Sequence, residues 1–132
     1  MPRKPARPDP TESELAILQV LWRRGPSSVR EVWSELGEKS GYTTVLKFLQ
    51  IMREKGLVRR DERALSHIYA AAVAQDRTQE RAVSRLIDRV FGGSTSQLVL
   101  RALSAKPISA DELKELRALL ADQERKRNAP GD

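Results

Sequence analysis

The sequence predicts a mainly α-helical chain with one short β-hairpin, three helices preceding the hairpin and more helices following it. Three observations carry that prediction. Apolar residues recur at helical spacing in several segments, three of them opening on Ser or Thr with Glu three residues on and four of them closing at glycine. Between the third and fourth of these segments the periodicity gives way to two short runs around the polar stretch DERALS. The chain is 132 residues long, room for one ordinary domain or for a small domain with an appendage.

The first helix starts at Thr11, whose spacing to Glu14 is that of a capping box satisfying two otherwise orphan backbone donors. It runs to about Arg24, buries Leu15, Leu18, Leu21 and Trp22, and stops at Gly25-Pro26. Ser28 with Glu31 opens a second, shorter helix that turns Val29, Val32, Trp33 and Leu36 to one side and ends at Gly37. After EKSGY, either Thr43 or Thr44 can cap a third helix, which buries Val45, Phe48, Leu49 and Met52 and ends before Gly56. Leu57 to Arg60 and His67 to Ala70 read as the strands of the hairpin.

Three helices followed by a hairpin is the order of a winged helix-turn-helix, in which a third helix lies in the major groove and the hairpin forms the wing. A second unit follows. Val83, Leu86, Ile87 and Val90 mark an amphipathic helix from Asp76 to Phe91, ended by Gly92-Gly93. A short helix capped within Ser94 to Ser96 spans Leu98 to Leu103, Pro107 breaks the pattern, and Ser109 with Glu112 opens a last helix to about Lys126. Such narrow stripes cannot build a useful core alone. A second copy of the chain is the most economical cover, since two-fold dimers are the commonest oligomers. The expected organisation is a disordered basic arm at 1–10, a winged helix-turn-helix at 11–73, a helical dimerisation segment at 74–126 and a disordered tail at 127–132. Leu86, Val90, Leu113, Leu116 and Leu120 are the expected dimer contacts.

Composition narrows the function. Lys and Arg number 24 against 18 Asp and Glu, a net charge of +6 that favours an acidic partner such as nucleic acid. The absence of cysteine excludes disulfides, thiolate metal sites and cysteine nucleophiles, and suits a cytoplasmic protein. MPRKPARPDP has no apolar stretch that could act as a signal peptide, and nothing later approaches the ~20 apolar residues of a membrane span, so no membrane insertion is expected. His67 is the sole histidine and no Gly-rich phosphate loop is present, so neither a catalytic triad nor a metal or cofactor site is expected and the chain reads as a non-enzyme. Trp22 and Trp33 lie on apolar stripes and read as core.

Candidate binding residues follow from the third helix. Opposite Val45, its face carries Thr43, Lys47, Gln50 and Glu54, with Leu46 and Ile51 on the flanks. Hydroxyl, amide and cationic groups read base edges, and a leucine meets a thymine methyl. A solvated surface accounts for the same pattern, but its position before a wing favours base readout by Tyr42, Thr43, Thr44, Leu46, Lys47 and Gln50. Arg59, Arg60 and Arg63 around the hairpin and Arg3, Lys4 and Arg7 in the arm stand where phosphate contacts are expected. The stripe Arg77, Arg81, Arg85 and Arg89 needs its repulsion relieved by an anionic partner or by Glu80 and Asp88, and the solvated face is the favoured reading. A winged helix can also serve as a protein-interaction module without sequence-specific DNA binding, which is the alternative reading.

From Thr11 to Asp122 the chain resembles the penicillinase repressor family, the BlaI/MecI/CopY group of bacterial regulators. The segments that carry the likeness are ESELAILQVLW, YTTVLKFLQIMREKGLV, the wing leading to HIYAA, FGGSTSQLVLRAL and ISADELKELRALL, in that order and spacing. The resemblance implies a homodimer that binds an inverted repeat in double-stranded operator DNA and represses transcription. The family's threonine pattern at the start of the recognition helix matches Thr43 and Thr44, and the exposed positions after it fall on Leu46 and Lys47. Relatives often carry a basic residue at the position of Leu46. The copper-responsive branch has a cysteine-rich C-terminus that this chain lacks. The family also implies derepression by a sensor-activated protease cutting within the segment that looks like SQLVLRAL, at the bond between Arg101 and Ala102, where the best-known relatives have Asn-Phe.

Overall fold

The computed structural model describes residues 9–63 and 65–129. Helix α1 (Glu12–Arg24), strand β1 (Ser27–Ser28), helices α2 (Val29–Glu35) and α3 (Tyr42–Lys55), strands β2 (Val58–Asp61) and β3 (Ile68–Ala71), and helices α4 (Gln75–Val90), α5 (Thr95–Ala105) and α6 (Ala110–Asn128) follow in order. The architecture is mainly α, a winged helix-turn-helix followed by helices. The chain divides into two compact units inside α4, the first ending at Ser84 and the second starting at Arg85.

Local chemistry sets most boundaries. Thr11 and Ser28 head α1 and α2 through complete capping boxes with Glu14 and Glu31, and Ser109 does the same for α6 with Glu112. Gly56, at φ 79°, closes α3 in the left-handed conformation that glycine adopts without steric cost. One expected cap is absent. Helix α3 begins at Tyr42 behind Gly41, which offers no side-chain cap, so neither Thr43 nor Thr44 heads it. The preceding turn is fixed from elsewhere: the Trp33 indole N–H donates to the Ser40 carbonyl at 2.7 Å. Both threonines therefore lie within the first turn, exposed.

The hairpin strands start and end one residue later than the sequence pattern suggests, and α6 continues through Arg127 and Asn128. Strand β1 had no sequence signal, since two serines show no alternation. It pairs antiparallel with β3, Ser27 opposite Tyr69, and gives a sheet of order β1-β3-β2. β2 pairs with β3 from Val58 opposite Ala71 to Asp61 opposite Ile68.

The core of the first unit gathers Ile17, Leu18 and Leu21 of α1, Val32 of α2, Val45, Leu49 and Met52 of α3, and Leu57, Val58 and Tyr69 of the sheet. Trp22 and Trp33 are half-buried against it, and each indole N–H has a carbonyl, Trp22 donating to Val73 at 3.0 Å. Glu14 is buried too, at 1% exposure. Its carboxylate accepts the Thr11 N–H and both of its oxygens accept from the Lys55 ammonium, at 2.9 and 3.0 Å. The pair fastens the first turn of α1 to the last turn of α3. Together with the hydrogen bonds from Thr11, Lys55 overcomes the opposing effect of burial and holds the Glu14 carboxyl below its ordinary range.

Candidate nucleic-acid interface

Helix α3 buries Val45, Leu49 and Met52, and that choice of inner face fixes what faces outward. Thr43, Lys47, Gln50 and Glu54 are all exposed and fall within one strip along the helix. Tyr42 and Thr44 are exposed on the two sides of the first turn. Leu46, by contrast, is half-buried and packs against the core, which leaves only part of its side chain at the surface.

The wing arginines differ in how they are engaged. Arg59 is exposed, and it forms no ion pair among the described residues. Arg60 is bound to Glu62, which also meets Arg53 of α3 at 3.5 Å. Arg63 forks onto Asp61 at 3.0 and 3.1 Å, and its side chain and backbone N–H hold that carboxyl down to about 2. Arg3, Lys4 and Arg7 lie outside the described residues. His67 is exposed beside the wing.

Two residues at this surface escaped the sequence reading. Trp33, which its apolar stripe places in the core, also meets Tyr42 edge-on, with centroids 6.0 Å apart. The Arg30 guanidinium, on α2, lies over the Tyr42 ring at 5.9 Å from its centroid. A run of aromatic and cationic residues twelve positions apart in sequence carries no local pattern that would announce the cluster.

In the second unit, α5 and α6 contain no buried residue, and neither does α4, which leads into it. Leu86, Val90, Leu113 and Leu120 are exposed, with 60% of Leu120 accessible, while Leu116 is half-buried. Arg101 and Ala102 are exposed in the middle of α5. Among the described residues no cluster of three metal-ligating side chains occurs, and no helix is long and apolar enough to cross a membrane.

Three helices, a wing and a polar strip on the outer face of the third helix define the winged helix-turn-helix class. The model of the penicillinase repressor family matches residues 10–122, and the chain belongs to that family, whose members are transcriptional regulators and not enzymes. It is 21% identical to the penicillinase repressor of Bacillus licheniformis over 122 residues, 91% of this chain and 95% of that one. It is 20% identical to the methicillin resistance regulatory protein MecI of Staphylococcus aureus over 112 residues, 83% of this chain and 91% of the relative. Among solved structures, it is similar to the Bacillus licheniformis BlaI monomeric form in complex with the blaP half-operator, at 21% identity and TM-score 0.46 over 53% of this chain and 88% of that chain. It is also similar to the transcriptional regulator Tm0710 from Thermotoga maritima, at 20% identity and TM-score 0.47 over 91% of this chain and 80% of the other.

Proposed function

We propose that this protein is a repressor that binds an inverted-repeat operator as a homodimer, in the cytoplasm, and is released by proteolysis in its C-terminal segment. The observation that carries the DNA reading is the outer strip of α3. A core built on Val45, Leu49 and Met52 leaves Thr43, Lys47 and Gln50 standing free beside the wing. Thr43, Thr44, Lys47 and Gln50 supply the donors and acceptors that base edges need, with Tyr42 and the accessible part of Leu46 offering apolar contact. Arg59 makes the wing's phosphate contact directly, while Arg60 and Arg63 first exchange a carboxylate for a phosphate. The arm residues Arg3, Lys4 and Arg7 add charge to the same partner.

Dimerisation through Leu86, Val90, Leu113, Leu116 and Leu120 is supported by the exposure of all of them but Leu116, which is half-buried. Two half-sites held by one dimer raise affinity by ~10² to 10⁴ over a single domain, given a geometry that engages both. A sensor-activated protease cutting between Arg101 and Ala102 would forfeit that gain.

The test is a gel-shift titration on the promoter region upstream of the protein's own gene, beside random-sequence DNA. Binding weakens on both as salt rises, and Lys47→Ala or Thr43→Ala lowers promoter affinity by the ~1 to 3 kcal/mol of a lost base contact while sparing the random duplex. Equal losses on the two DNAs would refute base readout by α3.

A further inference from the structure

We infer that Arg30 of α2, seated on the Tyr42 ring, is a further phosphate-binding residue of the DNA interface, held ready by Tyr42 and Trp33. The assignment rests on the proposed DNA reading and adds a residue to it.

Its first support is electrostatic. The first unit's arginines are mostly committed to carboxylates: Arg23 to Glu35, Arg24 to Glu31 and Glu35, Arg53 and Arg60 to Glu62, Arg63 to Asp61. Among the described residues of the helix-turn-helix and wing, the cations without such a partner are Arg30, Lys39, Lys47 and Arg59. Lys47 and Arg59 already stand at the interface, on α3 and β2. An arginine left without an acid forfeits the stabilisation its neighbours gain, and an anion supplied from outside restores it.

Its second support is geometric. The guanidinium lies over the ring of the residue that opens α3, 5.9 Å from its centroid, and the recognition strip begins at the next position, Thr43. A helix seated in a major groove ~12 Å wide has phosphate walls on both sides, and a cation beside its first turn meets one of them. The third support is rigidity. Tyr42 is braced edge-on by Trp33, and Trp33 is pinned by its 2.7 Å bond to the Ser40 carbonyl. The cation–π contact engages the guanidinium's charge without using its N–H donors, which stay available to phosphate oxygens. Lysine at this position would carry the charge without the plane.

The experiment measures affinity for a fluorescein-labelled random-sequence duplex by anisotropy across a salt series, which removes base readout from the result. Arg30→Ala lowers the slope of log affinity against log salt by about 0.9, the amount expected for one phosphate. Arg23→Ala, removing an exposed but acid-paired arginine of equal charge, leaves the slope within error. Tyr42→Leu keeps the slope and loses about two- to fivefold in affinity, the worth of the cation–π contact. Circular dichroism of each variant confirms that it is folded.

An Arg30→Ala protein with the parent's slope overturns the assignment, and so does an Arg23→Ala protein that loses as much slope, because the effect is then one of net charge. A Tyr42→Leu protein that binds like the parent overturns the seating. A parent protein with no salt-dependent binding overturns the DNA reading and this assignment with it, whereas a binding parent confines the failure to Arg30.

Discussion

Replacing Lys55 by methionine removes the ammonium that both oxygens of Glu14 accept from, and leaves a carboxylate only 2% exposed with Thr11 as its remaining partner. Stranding a buried charge costs ~3 to 5 kcal/mol, and the lower end applies because Lys55 is itself 25% exposed and its removal lets some water approach. The reciprocal change is milder. Glu14→Gln retains an acceptor for the Thr11 N–H, and the partly exposed Lys55 can swing its ammonium to solvent, so the loss is about 1.5 kcal/mol, that of one charge-assisted hydrogen bond. Against a net stability of ~5 to 15 kcal/mol, both changes are easily measured.

Urea titrations at fixed protein concentration give the midpoints, with an unchanged m-value certifying that stability alone has moved. The pH dependence supplies an independent sign. Glu14 titrates in the folded protein below its ordinary value of 4.5, so its contribution is fully present above that pH and is lost as pH falls through the lowered value. Without Lys55 the folded carboxyl titrates higher than in the parent. The gap between parent and Lys55→Met is therefore widest near neutrality and narrows in acid. A Glu14→Gln protein as unstable as Lys55→Met, or a gap that widens as pH falls, would refute the argument.

Arg59→Ala flattens the salt dependence of DNA binding by about 0.9 in log slope, while Arg63→Ala flattens it less, because the parent's Arg63 must abandon Asp61 to reach a phosphate. Equal slopes in anisotropy titrations of the two variants would contradict that ranking. Leu116→Asp converts the dimer to monomer, since each leucine buried in the interface contributes ~1.5 to 3 kcal/mol and both copies lose one. Sedimentation equilibrium reads this directly, and a dimer as tight as the parent's would place the interface elsewhere. A chain ending at Arg101 is folded, monomeric and at least ~10-fold weaker on its operator. If it binds like the full-length protein, cleavage at that bond is not the switch.

What could be read from the sequence was what is decided locally. Thr11 with Glu14, Ser28 with Glu31 and Ser109 with Glu112 each complete a cap within three residues, and the structure contains all three boxes. The inner face of α3 was legible from spacing, and with it the outer strip. Features decided across the chain were not. The Ser27-Ser28 strand exists because Tyr69 lies opposite, and Trp22 finds its acceptor 51 residues away at Val73. Lys55 finds Glu14 across 41 residues, so a residue read only as a cap partner is also a buried ion-pair member. The start of α3 departs from the sequence pattern because two threonines offer a local cap while Trp33 fixes the turn. The acids beside Arg60 and Arg63 were within reach of sequence reasoning, since DER places each partner two residues away.

Burial bears on how release from DNA would proceed. The first unit closes a core from α1, α2, α3 and the sheet with no core-packing residue beyond Val73, whereas α4, α5 and α6 contain no buried residue. Cutting after Arg101 therefore removes none of the packing that presents α3. It would separate the first unit from α6, where Leu113, Leu116 and Leu120 lie. The bond itself is inside a helix of 11 residues, with backbone hydrogen bonds to break before an extended segment can enter a protease. When opening and reclosing are faster than cleavage, the cutting rate follows the population of the opened helix. A second copy covering the exposed Val99, Leu100 and Leu103 of α5 would lower that population, so the proposed pairing would protect the very bond whose cleavage would end it.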